Sequence, residues 1–580
     1  MTTPAKHHLL IRRILAHVPG IHMLRSYSRS LFMADLGAGL VLTAMLIPVG
    51  MSYAEASGLP AIYGLYSTII PLLIYALFGP SRILILGPDS ALAGLMASAI
   101  LIVSVKAPEQ AIAVASMLAI MVGGLCLLAG MLKLGFITEL LSSPIRYGYL
   151  NGIALTVLVG QLPKLCGIDV SGNNLAEEAW FFLKAILQGQ ASLPTTAVGV
   201  GCLILIGLIN HYFPRWPAIL IAMLAATVVV IIYHLYYPSS IAVIGSLPQG
   251  MATFKLPDLP LAEIKALIPS AIAIALVAFA DMSVLSRTYA HKLGDNPRPN
   301  QELVALGLAN IGTGLFQGFA VSSSASRTPV AEAAGAKTQM TGVVGALSII
   351  VVLYLVPDLL QQVPRTVLAA IVIAACFALI EIKQLKRLYK IRRSEFWLSM
   401  ICFMGVAFIN VVQGIFIAVA VAIAAFLWRA WRPYSAVLGR VDGLKGYHDI
   451  VRHPEGRQIP GLVIFRWDAP LFFANQDMFR HDVQQAIIHS NTPVHWLLIA
   501  AEPITDIDIT AADMLQELEE NLHKQNIRLC FAEMKGPVKD RLKDYGLMSA
   551  WGRERFFPTI GKAVDAYVNS HKVQWVDWED

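Results

Sequence analysis

"AVSSSASRTPVAEAAGAKTQ", residues 320–339, is small, polar and nearly free of bulky side chains, yet it stands between long apolar runs. It gathers Ser322, Ser323, Ser324, Ser326, Arg327 and Pro329 in one place. Its surroundings decide how it is read. The chain has 580 residues, 56% hydrophobic and only 14% charged, where a soluble protein carries about 25% charged residues. Residues 436–580 hold 16 basic and 21 acidic side chains; the longer stretch before them holds 28 and 17. A long membrane part is therefore followed by a water-soluble domain of ordinary size. A basic excess in the short loops of a polytopic protein is an orientation signal, and nothing in the chain points to a nucleic-acid partner.

Apolar segments long enough to cross about 30 Å of hydrocarbon recur with short breaks. They are expected near 34–56, 61–78, 90–105, 110–132, 137–162, 194–213, 217–235, 264–288, 300–318, 326–336, 339–356, 366–381, 395–411 and 413–429. Fourteen segments divide into seven and seven. The two anomalous ones, opening on "GPDSALAG" and "SSSASRTPV", are then the third of each half. Interrupted segments at matching positions of two halves signal an inverted-repeat transporter with its site at the midplane. The basic cluster "EIKQLKRLYKIRRSEF" (381–396) follows the twelfth segment, on the side of the N-terminal Arg12, Arg13, Arg25 and Arg29. That side is expected to be cytoplasmic, and two more spans bring the tail there too.

The serine-rich stretch now acquires a use. A helix that begins inside the bilayer leaves its first amide groups without partners and carries about half a positive charge at that end. Two such ends converging make an anion site from backbone alone. Serine supplies a hydroxyl or a cap, and Arg327 supplies a full charge and a planar set of donors. Serines in membrane helices also bond to their own backbone or tighten packing, so none of the four is assigned by type alone. An intramembrane arginine is functional by default, and a bound anion, Asp281 or Asp89 could compensate it. Asp281 ends the apolar run "IALVAFADMSVLSR" and Asp89 opens the third segment. A carboxyl held between the cost of burial and the pull of an arginine can carry a proton or hold a sodium ion. Glu332 is expected to cap or pair at a helix end.

The six cysteines (Cys126, Cys166, Cys202, Cys376, Cys402 and Cys530) stand singly, so neither a disulfide framework nor a metal site is expected. There is no phosphate-binding loop and no Ser-His-Asp pattern; no enzyme activity, no ATP-driven pumping and no cofactor is expected beyond a coupling ion, H+ or Na+. The basic start lacks the apolar core and cleavage site of a signal peptide. In the tail, "GLVIFRW", "HWLLIAA" and "IRLCFAEM" read as strands, and "ITAADMLQELEENLHKQN" as a helix, an α/β alternation. The expected domains are a lead-in at 1–33, a transmembrane domain at 34–430, a glycine- and proline-rich linker at 431–459, an α/β domain at 460–570 and a tail at 571–580.

At these residues the chain resembles the sulfate permease (SulP) family, bacterial relatives of solute carrier family 26. "LPAIYGLYSTIIPLLIYALFGPSRILILGPDSA" (59–91) is similar to the family signature around the second span, and 300–342 to its second diagnostic block. "IDITAADML" (507–515) resembles a STAS domain. The resemblance implies fourteen segments in two inverted seven-helix repeats, a core domain moving against a gate domain, and a C-terminal cytoplasmic STAS domain. It places the anion at Asp89 and Ser90 on the third segment and at Ala325, Ser326 and Arg327 on the tenth, with Tyr53 lining the pocket. Asp281 is the implied coupling residue, and Asp508 and Thr510 flank the regulatory loop of the STAS domain. Asp89 departs from the family pattern, since many relatives have an aromatic or small residue there; a carboxylate beside an anion site repels the anion unless protonated, which makes Asp89 a second expected coupling residue. In related domains that loop carries a phosphorylated serine; here Ile509 holds the position, which leaves Thr510. A helix cap suits Asp508 and Thr510 equally.

The resemblance further implies a multi-pass protein of the bacterial inner membrane with both termini cytoplasmic, a homodimer, and a cytoplasmic protein partner for the STAS domain. The expected function is secondary active transport of a small inorganic anion, sulfate first, coupled to protons by alternating access. Bicarbonate or C4-dicarboxylate transport, an uncoupled exchanger or channel, and a membrane sensor are the alternatives.

Overall fold

The computed structural model describes residues 18–25, 27–104, 110–135, 143–170, 175–213, 216–237, 241–245, 250–409 and 411–576. The expected lead-in and tail fall partly outside these. The chain divides into Met1–Ala422 and Ile423–Asp580.

The first unit contains all fourteen segments. They are α1 (Arg29–Ala56), α2 (Ile62–Phe78), α3 (Ser90–Ser104), α4 (Ala111–Met131), α5 (Ser143–Leu165), α6 (Leu193–Tyr212) and α7 (Ala218–Tyr236). The second seven are α8 (Leu261–Leu293), α9 (Pro299–Leu315), α10 (Arg327–Ala333), α11 (Met340–Leu355), α12 (Arg365–Leu379), α13 (Arg393–Met404) and α14 (Val411–Trp431), whose last turns enter the second unit. Hydrophobicity all round most of these helices is what burial in protein and lipid demands.

The packing obeys a repeat of seven. α4 packs on α8 and α9, as α11 packs on α1 and α2. α3 meets α8 as α10 meets α1, and α5 meets α13 as α6 meets α12. Each pair becomes the other when every helix is exchanged for the one seven places on. Two bodies result. α1–α4 with α8–α11 form the core, and α5–α7 with α12–α14 form the gate; both are part of an inverted-repeat, fourteen-segment membrane fold.

Backbones approach closely where glycines face each other. A Cβ on Gly64 would lie 1.9 Å from the Gly50 carbonyl oxygen, and one on Gly123 would lie 2.6 Å from that of Gly307. Small-residue contacts of this kind are how membrane helices pack tightly without a hydrophobic driving force. Polar clasps complete the core. Buried Asp35 of α1 accepts from the Lys337 and Thr338 backbone N–H groups and from the hydroxyls of Thr338, Thr341 and Tyr27, thereby tying α1 to the start of α11. Buried Glu302 of α9 takes the Tyr75 and Ser81 hydroxyls at 2.7 and 2.5 Å.

Two expectations change in detail. α10 is seven residues long rather than eleven, because Ala334 ends it and Gly335 turns the chain at φ +95°. Two amphipathic helices outside the expected spans, Leu175–Leu187 and Ile382–Ile391, connect membrane segments.

The second unit carries a six-stranded sheet ordered β4-β3-β5-β6-β7-β8, with β3 Ser435–Arg440, β4 Tyr447–Asp449, β5 Leu462–Trp467, β6 Trp496–Ala500, β7 Arg528–Ala532 and β8 Phe556–Phe557. β3 runs antiparallel to both its neighbours, and β5 through β8 are parallel. Alternation along β5 sends Val463, Phe465 and Trp467 to one core and Leu462 and Ile464 to the other. The first core is covered by α15 (Gln476–Ile488) and α16 (Ile509–Lys524), the second by α18 (Ile560–His571); α17 (Gly536–Asp544) completes the domain. β3 and β4 lie within 431–459, so the stretch read as a linker is the edge of the sheet. Gly443 and Gly446 serve the turn between β3 and β4, both at positive φ. Asp449 fastens that edge. It accepts from the Tyr434 hydroxyl and the Val451 N–H. Burial pushes its carboxyl up, but those bonds and the nearby Arg452 and Arg466 outweigh it and hold it below the usual carboxylate range.

Candidate functional site

The two short segments are joined at their starts by a miniature sheet. β1 (Leu86–Gly87) pairs antiparallel with β2 (Ser322–Ser323), in register Leu86 to Ser323 and Gly87 to Ser322. Each strand comes from one half of the chain, and each leads into a helix that begins inside the protein. The ladder extends by Ser324 N–H to the Ile85 carbonyl and by the Ile85 N–H to the Thr328 hydroxyl. Asn310 of α9 clamps β2 from behind. Its amide nitrogen donates to the Val321 carbonyl and its oxygen accepts from the Val321 N–H. Ser322 donates to the Ala278 carbonyl, at 2.7 Å, and so anchors β2 to α8. This backbone is buried, and every such bond answers a group that lipid would leave unpaired.

In front of the ladder lies a cavity of about 350 Å3 with two walls. The core supplies Tyr53 from α1, Asp89 and Ser90 at the start of α3, Asp281 from α8, and Ala325 and Ser326 before α10. The gate supplies Arg146 and Leu150 of α5, Ala375 and Leu379 of α12, and Glu381 just beyond. Thus Tyr53, Asp89, Ser90, Asp281, Ala325 and Ser326, chosen from positions spread over 273 residues, face one space.

Arg327 does not line that space. It is fully buried, its terminal nitrogen donating to the Pro88 carbonyl and the guanidinium lying against Gly87. From the first residue of α10 its side chain runs to the opposite strand and the residue after it. Its guanidinium lies behind the wall, close enough to Asp89 and Tyr53 to interact with both. The structure therefore places Arg327 outside the cavity lining, whereas the resemblance put it at the anion.

The helix ends are also not bare. Asp89 accepts from the Ala91 N–H at 3.1 Å and its carbonyl takes the Ala93 N–H. Ser324, not Ser326, accepts from the Arg327 N–H, at 3.2 Å. Ser326 is left exposed to the cavity with its hydroxyl 3.2 Å from that of Ser324. Asp281 accepts a hydrogen bond of 3.1 Å from the Tyr149 hydroxyl, which reaches it from α5 of the gate. Glu332 lies away from the cavity, paired with Lys292 at 2.5 Å, as its helix-end position suggests.

Arg146, Tyr149 and Glu381 were not singled out from sequence. "PIRYGYLNG" (144–152) does place an arginine and two tyrosines at the start of a span, a signal that an intramembrane charge deserves. Among the described residues, no group of three or more His, Cys, Asp or Glu side chains is arranged to hold a metal ion.

In the second unit Asp508 caps α16, accepting from the Ala511 N–H at 2.8 Å, while its other oxygen takes the Phe473 N–H at the same distance. Of the two residues that suited the cap, Asp508 holds it; Thr510 stands exposed in the first turn.

The chain matches the sulfate permease family over residues 32–402 and the STAS domain over residues 453–563. It is 37% identical over 550 residues to a Mycobacterium tuberculosis protein named "Probable sulfate transporter", with 95% of this chain and 98% of that one covered. It is 28% identical over 579 residues to the chloroplastic sulfate transporter 4.1 of Arabidopsis thaliana, with 96% and 84% covered. Its fold matches the solved structure of murine solute carrier 26 family member A9 with a TM-score of 0.88 at 20% identity, over 96% of this chain and 95% of that one. With two short helices meeting at a cavity between core and gate, and a STAS domain after the last span, this chain belongs to the sulfate permease family of membrane anion transporters.

Proposed function

We propose that this chain carries sulfate across a bacterial inner membrane by proton-coupled alternating access. The observation that carries the reading is the two-walled cavity, one wall belonging to the core with both half-helix starts, the other to the gate. A site divided in this way opens to one side or the other as the core moves past the gate, around contacts that stay fixed in the core. The relatives named as sulfate transporters supply the anion.

Asp89 supplies the coupling. It sits where an anion would be welcomed, at the positive end of α3, and its own carboxylate occupies an amide there. An arriving dianion and this charged carboxylate exclude each other by repulsion. Protonated Asp89 leaves the amide to the substrate, so proton and anion load together. Ser90 and Ser326 supply hydroxyl donors, Tyr53 the apolar flank, and Arg327 the field. Asp281 is the second proton acceptor, bonded across the core–gate boundary by Tyr149, so that its charge reports the position of the gate.

The basic cluster at 381–396 supports a cytoplasmic side for both termini. We read the assembly as a homodimer whose STAS domain docks a cytoplasmic protein through the exposed Ile509 and Thr510. The test is uptake of radiolabelled sulfate by the purified chain in liposomes, with pH and sodium gradients imposed separately and bicarbonate and fumarate as competitors. Accumulation should follow an inward proton gradient. Uptake driven by sodium alone, or blocked by bicarbonate and not by sulfate, overturns it.

A further inference from the structure

The helix Ile382–Ile391 is one of the two amphipathic connectors of the first unit. It follows α12 after two non-helical residues, Ile380 and Glu381, and precedes α13, so it stands at the end of two membrane segments. None of its ten residues is buried. Ile382, Leu385, Leu388 and Tyr389 fall on one face at helical spacing, and Lys383, Lys386, Arg387 and Lys390 fall on the opposite face. On the apolar face Ile382 is 54% exposed and Tyr389 50%. A water-facing helix would not keep that stripe uncovered, and a spanning helix would not carry four cations.

The surroundings point the same way. Lys383, Lys386, Arg387 and Lys390 line an open hollow of about 550 Å3, together with Tyr389 and Phe396. Among the described residues none of the four cations forms a salt bridge with a carboxylate, whereas Arg392 beside them is answered by Glu395 at 3.2 Å. Arg393 rests on the Tyr389 ring, which packs edge-on against Phe396, and the hollow is lined by apolar and cationic side chains together. An apolar stripe lying along the hydrocarbon boundary, with lysines and an arginine directed at the headgroups, is the arrangement of an interfacial helix that selects acidic lipid.

We propose that Ile382–Ile391 and the hollow beside it form a docking site for the headgroups of acidic phospholipids. Charge complementarity identifies the occupant: four unanswered cations call for phosphodiester anions with acyl chains that cover the apolar stripe. The site belongs to the gate. Glu381, its first neighbour, lines the transport cavity, and the Glu381 backbone N–H donates to Asn151 of α5 at 3.1 Å. Lipid held on this helix therefore steadies the part of the gate wall that faces Asp281.

The experiment is hydrogen exchange on the full-length chain in lipid nanodiscs of phosphatidylcholine, with or without one third phosphatidylglycerol, so that it does not depend on which anion is carried. The expected result is slower exchange across 382–393 in the acidic discs, by about fivefold or more, since each basic side chain near an acidic surface strengthens association roughly fivefold. The protection should vanish in half-molar salt and in a variant combining Lys383→Gln, Lys386→Gln, Arg387→Gln and Lys390→Gln. Soluble glycerol phosphate should give none. Equal exchange in both discs, or acidic-lipid protection that survives in the variant, overturns the proposal. Protection by glycerol phosphate alone would make this a soluble-phosphate site and overturn it too. If the fourfold variant does not fold, the two lipid compositions and the salt series on the unaltered chain decide the matter.

Discussion

Replacing Arg327 by glutamine separates the two things this residue does. Glutamine removes the charge, which affinity reads, and its shorter side chain withdraws the donor from the Pro88 carbonyl, a buried acceptor whose loss of a partner would cost about 1–3 kcal/mol, which thermal unfolding reads. A cavity of about 350 Å3 corresponds to a sphere of roughly 4 Å radius, and the guanidinium lies one side chain behind the wall. At ~8 Å and an effective dielectric of ~20, a dianion attracts a single positive charge by about 4 kcal/mol. Water in the cavity and the response of Asp89 screen roughly half of this, leaving about 2 kcal/mol, or a loss of about thirtyfold in affinity. Arg327→Lys keeps the charge and should stay within a few-fold of the native affinity. The assay is sulfate binding by titration calorimetry on purified protein, with thermal unfolding as a check on the fold. If Arg327→Gln binds within threefold of the native chain, the field argument is wrong. If Arg327→Lys is as poor as Arg327→Gln, the planar donors matter more than the charge.

Asp281→Asn should retain sulfate counterflow while weakening the response of uptake to an imposed pH gradient, since Asp89 still carries its proton; an unchanged gradient response would remove Asp281 from the coupling. Gly64→Ala puts a Cβ 1.9 Å from the Gly50 carbonyl, an overpacking that costs about 1–3 kcal/mol or more. Its thermal midpoint in detergent should fall clearly below that of the native chain. Asp508→Ala removes the cap of α16 and should cost about 1 kcal/mol, seen as faster hydrogen exchange in 509–514, whereas Thr510→Ala leaves that exchange unchanged. Asp449 is held below the ordinary carboxylate value, so its share of the stability of the β3–β4 edge is present above about pH 4 and lost as the pH falls through its lower folded value. Asp449→Asn should loosen residues 435–453 at neutral pH, and native and variant exchange, corrected for intrinsic rates, should converge in stronger acid.

The number and order of membrane segments were legible because hydropathy over twenty residues is set by the solvent alone. So was the pairing of the third and tenth, since two polar openings at matching places are a property of composition. The direction of a side chain is not. Arg327 and Ser326 are neighbours in sequence, yet the fold sends one behind the wall and the other into the cavity. Arg146, Tyr149 and Glu381 escaped because a lone charge or phenol near the end of a span looks the same whether it meets headgroups or a site. What makes them part of the site is the approach of the gate to α8, a long-range contact. The stretch 431–459 misled for a different reason: glycine and proline mark turns, and turns join edge strands as readily as they join domains.

The four-residue ladder between Leu86–Gly87 and Ser322–Ser323 has a consequence for motion. Each strand is the lead-in to one half-helix, and its partner belongs to the other half of the duplicated chain. The two stubs cannot travel separately without tearing backbone bonds in a place with no water to replace them. They ride as one carriage, so the substrate is never handed from the first repeat to the second. A one-residue slip of β2 would turn Ser322 and Ser323 over together, and both ends of the berth would lose their alignment at once.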